Sequence, residues 1–193
     1  TTGAVTTPIY QVSTYAQLSA GVHKGYDYSR TANPTRTALE DCVASLEGGK
    51  HGYAFASGMA AADAVLRQLA PGDTIVLGND AYGGTYRLVS GIYERAGCNW
   101  VALDLTDIDV LKREWPTGAK LVWLETPTNP GLRIVDIEAV AEIAHERDAL
   151  CVVDNTFATP YLQKPLEYGA DVVVHSTTKY LGGHSDVIGG LVV

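Results

Sequence analysis

Short, unbroken apolar runs recur along this 193-residue chain, and most are followed by a stretch with helical spacing. Cys151-Val152-Val153 is the clearest run. A segment with no polar alternation suits a strand buried on both faces, as in a parallel sheet. The runs predict strands at 53–56, 74–77, 100–103, 121–124, 150–153, 171–174 and 188–193. The intervening segments predict helices. One begins at Asn33-Pro34-Thr35, where Asn33 suits the cap and Pro34 the first turn, and ends at Gly48-Gly49. Others are expected at 58–70, 85–96, 107–114 and 136–147. Strand and helix in alternation imply an α/β fold: a mostly parallel sheet with helices on both faces. With no internal repeat, low-complexity linker or charge block, residues 33–193 read as one domain. Residues 1–32, rich in Thr, Ser, Tyr and Gly, read as an extended N-terminal arm.

Composition narrows the partners. Acidic residues outnumber basic ones 22 to 14, for a net charge of −8, and no Lys/Arg run exceeds two residues. A nucleic-acid or anionic-membrane surface needs a basic patch, so neither partner is expected. No apolar stretch approaches the roughly 20 residues of a membrane span. The opening Thr1-Thr2-Gly3-Ala4-Val5 has neither the basic nor the apolar segment of a signal peptide, and it lacks an initiator methionine. Cys42, Cys98 and Cys151 are odd in number and widely spaced, which argues against a disulfide framework and suits a reducing cytoplasm. His175, His184 and Asp186 fit no familiar metal-ligand spacing, so no metal is expected. His184, between Gly183 and Ser185, reads as structural.

In sheets of this class, ligands bind beyond the carboxyl ends of the strands. There the sequence is polar and specific: Ser57-Gly58-Met59, Asn79 to Gly84, Glu125 to Pro130, Asp154 to Phe157 and His175 to Lys179. Each has a plain reading on its own. Ser57 can be an ordinary helix cap, Lys179 a solvated cation, Asp154 a turn cap and Tyr82 a surface tyrosine. Each also has a functional one. Gly58 lets backbone N–H groups approach an anion at a helix start, and Ser57, Ser176 and Thr178 add hydroxyl donors. Lys179, if its amine is buried, can condense with a carbonyl. Asp154 can pair with a protonated ring nitrogen, and the Tyr82 ring can lie on a flat ligand. Together they are the complement a protein offers to pyridoxal phosphate.

The motifs that carry this reading resemble those of one family. They are Tyr26-Asp27-Tyr28-Ser29-Arg30 with Asn33-Pro34-Thr35, Ser57-Gly58-Met59, Tyr82-Gly83-Gly84-Thr85 and Glu125-Thr126-Pro127-Thr128-Asn129-Pro130. Asp154 through Pro160 and Ser176 through Asp186 complete the set. The chain resembles the Cys/Met-metabolism group of pyridoxal-phosphate enzymes, of the cystathionine γ-synthase and γ-lyase type. The resemblance implies the large domain of the aspartate-aminotransferase-like fold. It makes Lys179 the lysine that carries the cofactor and moves protons, Asp154 the partner of the ring nitrogen, Thr156 a neighbour of the ring and Tyr82 the ring stacked on it. The backbone of Gly58 and Met59, with Ser57, Ser176 and Thr178, would hold the phosphate, and Asn129 would lie near the ring hydroxyl. Tyr28 and Arg30 match residues that reach the cofactor phosphate of a neighbouring subunit, so the arm gains a purpose. A homo-oligomer with shared sites follows, a dimer paired into a tetramer.

The activity implied is γ-elimination or γ-replacement on a homoserine- or cystathionine-type amino acid in transsulfuration. Sulfhydrylase and cystathionine β-lyase chemistry share every visible motif. Methionine γ-lyase is disfavoured, because its relatives carry cysteine where this chain has Gly84. Family members continue into a smaller C-terminal domain that supplies an arginine for the substrate carboxylate. A fragment is therefore the expectation, with a truncated, non-catalytic cofactor binder as the rival of another class.

Overall fold

A computed structural model of the chain describes residues 3–193. Its centre is a seven-stranded sheet in the order β1-β7-β6-β5-β4-β2-β3. The strands are β1 (Tyr53–Phe55), β2 (Thr74–Gly78), β3 (Asn99–Leu103), β4 (Ala119–Glu125), β5 (Leu150–Asp154), β6 (Val172–Ser176) and β7 (Gly190–Val192). All neighbours are parallel except β7, which runs antiparallel to both β1 and β6. The sheet is thus mostly parallel, and its strands are as apolar as the sequence implies: Leu121 through Leu124 and Cys151 through Val153 are buried.

Helices cover both faces. They are α1 (Pro34–Glu47), α2 (Gly58–Leu66), α3 (Gly83–Leu88), α4 (Ile108–Glu114), α5 (Ile137–His145) and α6 (Thr159–Leu162). One core joins Val122, Leu124, Cys151 and Val153 to Leu111 of α4 and Val140 and Ala144 of α5. The opposite core joins Ile75, Leu121, Trp123, Val152 and Val174 to Ala61, Ala62 and Leu66 of α2. Alternate residues of a strand face opposite ways, so each central strand feeds both cores.

Local chemistry sets the helix starts. Asn33 accepts the Thr35 amide at 2.9 Å, Ser57 that of Ala60 at 3.0 Å, Asp107 that of Val110 at 3.0 Å and Asp136 that of Ala139 at 3.1 Å. Gly48 ends α1 in the left-handed region at φ 76°. Some boundaries depart from expectation. Helix α2 stops at Leu66, where Gln68 and Leu69 bond only three residues back, to Val65 and Leu66. Helix α3 begins inside the Gly83-Gly84 pair and runs into a π-helical turn at Val89–Tyr93. The last strand is shorter than the apolar run and reversed in direction.

The arm, from residue 3 onward, carries no helix and only isolated bridges, Thr14 to Tyr28 and Ser19 to Val22; residues 1 and 2 lie outside the described residues. It is tied to the start of α1, where Tyr10 N donates to Thr35 Oγ1 at 2.9 Å and Thr35 Oγ1 donates to Pro8 O at 2.9 Å. Among the described residues no helix is long and apolar enough to cross a membrane.

A buried polar network fastens the layers where β5 and β6 end. Glu47 and His175 are both fully buried, and Glu47 Oε1 meets His175 Nε2 at 2.5 Å. The same oxygen accepts from Asn155 Nδ2 at 2.8 Å. Gln163 donates to Asn155 Oδ1 at 2.8 Å and to Thr126 O at 3.0 Å. Removing the carboxyl strands two buried donors, each at a cost of about 1–3 kcal/mol. Glu47→Ala is expected to lower the unfolding free energy by about 3 kcal/mol, read from urea denaturation; a loss under about 1 kcal/mol would show that the network does not hold the layers.

Candidate active site

Strand order decides where the site lies. From β2 the chain steps outward to β3, then returns to the other side of β2 as β4 and continues through β5 and β6. That reversal opens a crevice beyond the carboxyl ends of β2 and β4, the usual place for a ligand in an open α/β sheet. A cavity of about 230 Å³ occupies it, lined from the ends of β1, β2, β4, β5 and β6.

One wall comes from the turn between β1 and α2. Ser57, Gly58 and Met59 line the cavity. Ser57 does serve as a helix cap, its oxygen accepting the Ala60 amide; its proton is still available to donate. The first amides of α2 have no intrahelical acceptor. Gly58 is packed on β6: a Cβ there would lie 2.7 Å from Ser176 Cβ and 2.9 Å from Ser176 Cα. Only glycine brings this turn so close to β6.

The floor comes from β5 and β6. Asp154 Oδ1 accepts both the amide and the hydroxyl of Thr156, at 3.1 and 2.5 Å. Thr156 Oγ1 in turn accepts the Ser176 amide at 2.9 Å, locking the two strand ends together. Asp154 thus caps its turn with one oxygen, while Oδ2 makes no hydrogen bond among the described residues. Protein surrounds the carboxyl on all sides but the cavity. This desolvation raises its pKa, against the Thr156 bonds and the charges of His175 and Lys179. A cationic partner at Oδ2 would relieve that cost.

Lys179 stands at the mouth and lines the cavity, but it is exposed rather than buried as the sequence suggested. The turn that carries it opens toward residues 185–188, which line an adjoining hollow with it. Thr178 also lines the cavity, but its hydroxyl is engaged with Gly189, accepting the amide at 3.1 Å and facing the carbonyl at 3.3 Å. Asn129 contributes from the loop after β4.

Tyr82 projects its ring from the start of α3, with 42% of the residue exposed. The ring lies against Gly84, where a Cβ would collide with it and would sit 2.9 Å from Met59 Sδ. The cysteine that a methionine γ-lyase carries at this position would displace the ring from this seat. Tyr28 and Arg30 are not brought to the cavity. They pair with each other on the arm, the guanidinium 5.0 Å from the ring centroid. His175 is taken up by Glu47, while His184 is exposed with Nδ1 3.0 Å from Gly182 O; among the described residues no three His, Cys, Asp or Glu side chains form a metal cluster.

Sequence reasoning passed over two polar lining residues, besides the apolar Ala62, Phe157 and Ile188. Thr85 is buried in the first turn of α3, and Glu125 ends β4 beside Asp154, its partner in the strand register. Glu125 is the terminal residue of an apolar run, which is the position that flagged Asp154. Its pKa is pushed up to about 8, chiefly by burial and then by the Asp154 charge, with the Tyr82 amide opposing.

This pocket fits pyridoxal phosphate. It offers a glycine-lined cradle with hydroxyls and free helix amides for a phosphate, a carboxyl lining the cavity with one oxygen not hydrogen-bonded among the described residues for a cationic ring nitrogen, an aromatic ring at the wall and an amine at the mouth. Comparison with known proteins points the same way. The family model described as Cys/Met metabolism PLP-dependent enzyme matches residues 1–193. The cystathionine β-lyase of Coxiella burnetii is 55% identical over 193 residues, all of this chain and 50% of that protein. The cystathionine γ-lyase of Bacillus subtilis is 55% identical over 192 residues, covering 100% of this chain and 51% of that one. The crystal structure of cystathionine γ-synthase from Xanthomonas oryzae pv. oryzae, in complex with aminoacrylate and cysteine, superposes with a TM-score of 0.95 at 48% identity. It covers 100% of this chain and 50% of that one. The chain thus spans about half the length of the curated relatives it matches. With the fold, the pocket and the sequence in agreement along its whole length, the chain belongs to the Cys/Met-metabolism family of pyridoxal-phosphate-dependent enzymes.

Proposed function

We propose that this chain is the cofactor-binding part of an enzyme that eliminates or replaces the substituent at Cγ of a homoserine- or cystathionine-type amino acid. The observation that carries the reading is the convergence of Lys179, Asp154, Tyr82 and the Ser57–Gly58 turn on one cavity at the strand ends. Residues 33–193 form the large domain, and the arm of residues 1–32 reaches a neighbouring subunit in a dimer of dimers. In support, Arg30 and Tyr28 stand outside their own chain's cavity. The working protein is cytoplasmic.

When bound, pyridoxal phosphate supplies an electron sink for negative charge developing at the substrate Cα. The chain's own groups do the rest. Ser57 and Ser176, with the first amides of α2, bind the phosphate, and Thr178 joins them when its hydroxyl turns from the Gly189 carbonyl. Asp154 holds a proton on the ring nitrogen, Thr156 fixes that carboxyl, Asn129 meets the ring hydroxyl and Tyr82 covers the ring. Lys179 would hold the cofactor through its amine; freed when substrate takes its place, that amine would accept the Cα proton and then serve the proton at Cβ, which electron withdrawal has made acidic. The electron pair of the Cβ–H bond then forms a Cβ–Cγ double bond as the substituent leaves with the Cγ bonding pair. A thiol that adds at Cγ completes a replacement; water completes an elimination to a keto acid and ammonia.

Product analysis tests the reaction. Cystathionine is expected to yield cysteine, a four-carbon keto acid and ammonia, or an activated homoserine with cysteine is expected to yield cystathionine. Homocysteine and pyruvate from cystathionine would instead place cleavage at Cβ. Borohydride reduction of the loaded protein is expected to leave the cofactor mass on the peptide containing Lys179. With Lys179→Ala no adduct should form there and turnover should fall at least about a thousandfold; an unchanged adduct would remove Lys179 from its role. Gly58→Ala must push the phosphate turn off β6 and should weaken cofactor binding about tenfold or more, measured by absorbance titration.

A further inference from the structure

Among the groups around the cavity, Glu125 has no part in the chemistry above, yet it occupies a costly place. It is 6% exposed, ends β4, and sits side by side with Asp154 on the adjoining strand. The buried neighbours Leu124 and Thr126 make no use of its carboxyl. Its single hydrogen bond among the described residues reaches across 43 positions, from Tyr82 N to Glu125 Oε2 at 2.8 Å.

That bond has an unusual target. Tyr82 precedes α3 and has no side-chain cap, and the two residues after it are glycines, which leave the backbone free to turn. The ring lies over Gly84, with Met59 Sδ close to the same position. Among the described residues, the hydrogen bond that fixes the Tyr82 backbone to a different element is the one to Glu125. A shift of that amide carries the ring with it.

We propose that Glu125 is a positioning residue of the cofactor pocket, seating the Tyr82 ring through that residue's backbone amide. The inference rests on the pyridoxal-phosphate reading and names the residue on which its ring cover depends. Electrostatics agrees with the role. The groups that face Glu125 are Asp154 on β5 and Asp80 and the Tyr82 amide in the segment between β2 and α3; Lys179 acts on Asp154 from beyond β6, and Arg133 lines the small hollow behind. Burial first, and then the Asp154 and Asp80 charges, push the Glu125 pKa up to about 8, with the Tyr82 amide opposing. A neutral carboxyl still accepts the amide, and it adds no second negative charge beside Asp154. Below the unfolded carboxyl pKa both states bind the proton. Between there and about pH 8 the folded state alone keeps it, so stability falls as pH rises through that window.

The test measures pyridoxal phosphate affinity of the full chain by absorbance titration, for Glu125→Leu, Glu125→Gln and Tyr82→Ala and their combinations. Glu125→Leu is expected to weaken binding about tenfold, and Glu125→Gln, which keeps an oxygen for the amide, to restore most of that loss. In the Tyr82→Ala background Glu125→Leu should add less than about twofold. Glu125→Gln as weak as Glu125→Leu, or an undiminished Leu effect without the Tyr82 ring, would overturn the proposal. If Glu125→Leu does not fold, the thermal midpoint of unloaded Glu125→Gln decides. Relative to the parent it should climb from pH 5 to 8 and then level, whereas a flat difference overturns the neutral, buried carboxyl. Failure of the parent chain to take up the cofactor would instead count against the underlying reading and is seen in its own arm.

Discussion

Around the buried carboxyl of Glu47, five parts of the chain are joined. His175 and Asn155 meet its Oε1, and Gln163 ties Asn155 to the Thr126 carbonyl. These contacts link the end of α1, the ends of β5 and β6, the residue after α6 and the loop after β4. Asn155 follows Asp154 and His175 precedes Ser176, so the network lies directly under the two turns that floor the cavity. Removed from water, its members keep their bonding only by keeping their partners, and any slippage of one strand end leaves donors unmet. The pocket's geometry therefore rests on a polar assembly on the other side of its floor.

On the pocket side a second constraint operates. Asp154 and Glu125 end neighbouring parallel strands at matching register. Two ionised carboxyls at that spacing in a desolvated site are unfavourable, so one is held neutral. Burial raises the pKa of both; at Asp154 the Thr156 bonds and the charges of His175 and Lys179 oppose it, whereas at Glu125 the Asp154 charge adds to burial and the Tyr82 amide opposes. Different surroundings thus distinguish two like groups: hydrogen bonds and cationic neighbours counter the burial of Asp154, while one backbone amide counters that of Glu125. A ligand with a cationic ring atom and an anionic tail matches both ends of this arrangement: the cation meets Asp154, and the anion meets the Gly58 turn against Ser176.

Much of this was legible in the sequence for local reasons. Unbroken apolar runs marked strands because a strand covered on both faces has no polar side to show. Caps marked helix starts because Asn33, Ser57, Asp107 and Asp136 bond amides two or three residues on. Polar residues just past the apolar runs, Asp154 and Lys179 among them, stood out because parallel strands gather their carboxyl ends on one edge. The reversed β7 was not legible. Its residues suit either direction, and both its antiparallel pairing and the tight passage of Gly190 beside the Ser57 carbonyl exist only in the assembled sheet. Glu47 left a faint mark as an acid four residues after Val43 on the buried face of α1. His175 left another, at the end of the Val172-Val173-Val174 run, but the two lie 128 positions apart.

The sequence by itself determined the class of fold, the side of the sheet on which a ligand would lie and the kinds of group awaiting it. Each of these follows from periodicity, caps and residue type within a few positions. The tertiary structure alone decided which of those groups share a cavity. It set Glu125 beside Asp154, spent the Thr178 hydroxyl on Gly189, left Lys179 exposed at the mouth and kept Tyr28 and Arg30 on the arm. These are consequences of strand order and register. A protonation state, a hydrogen-bond partner and a degree of burial depend on neighbours in space, which a linear chain does not order until the sheet has assembled.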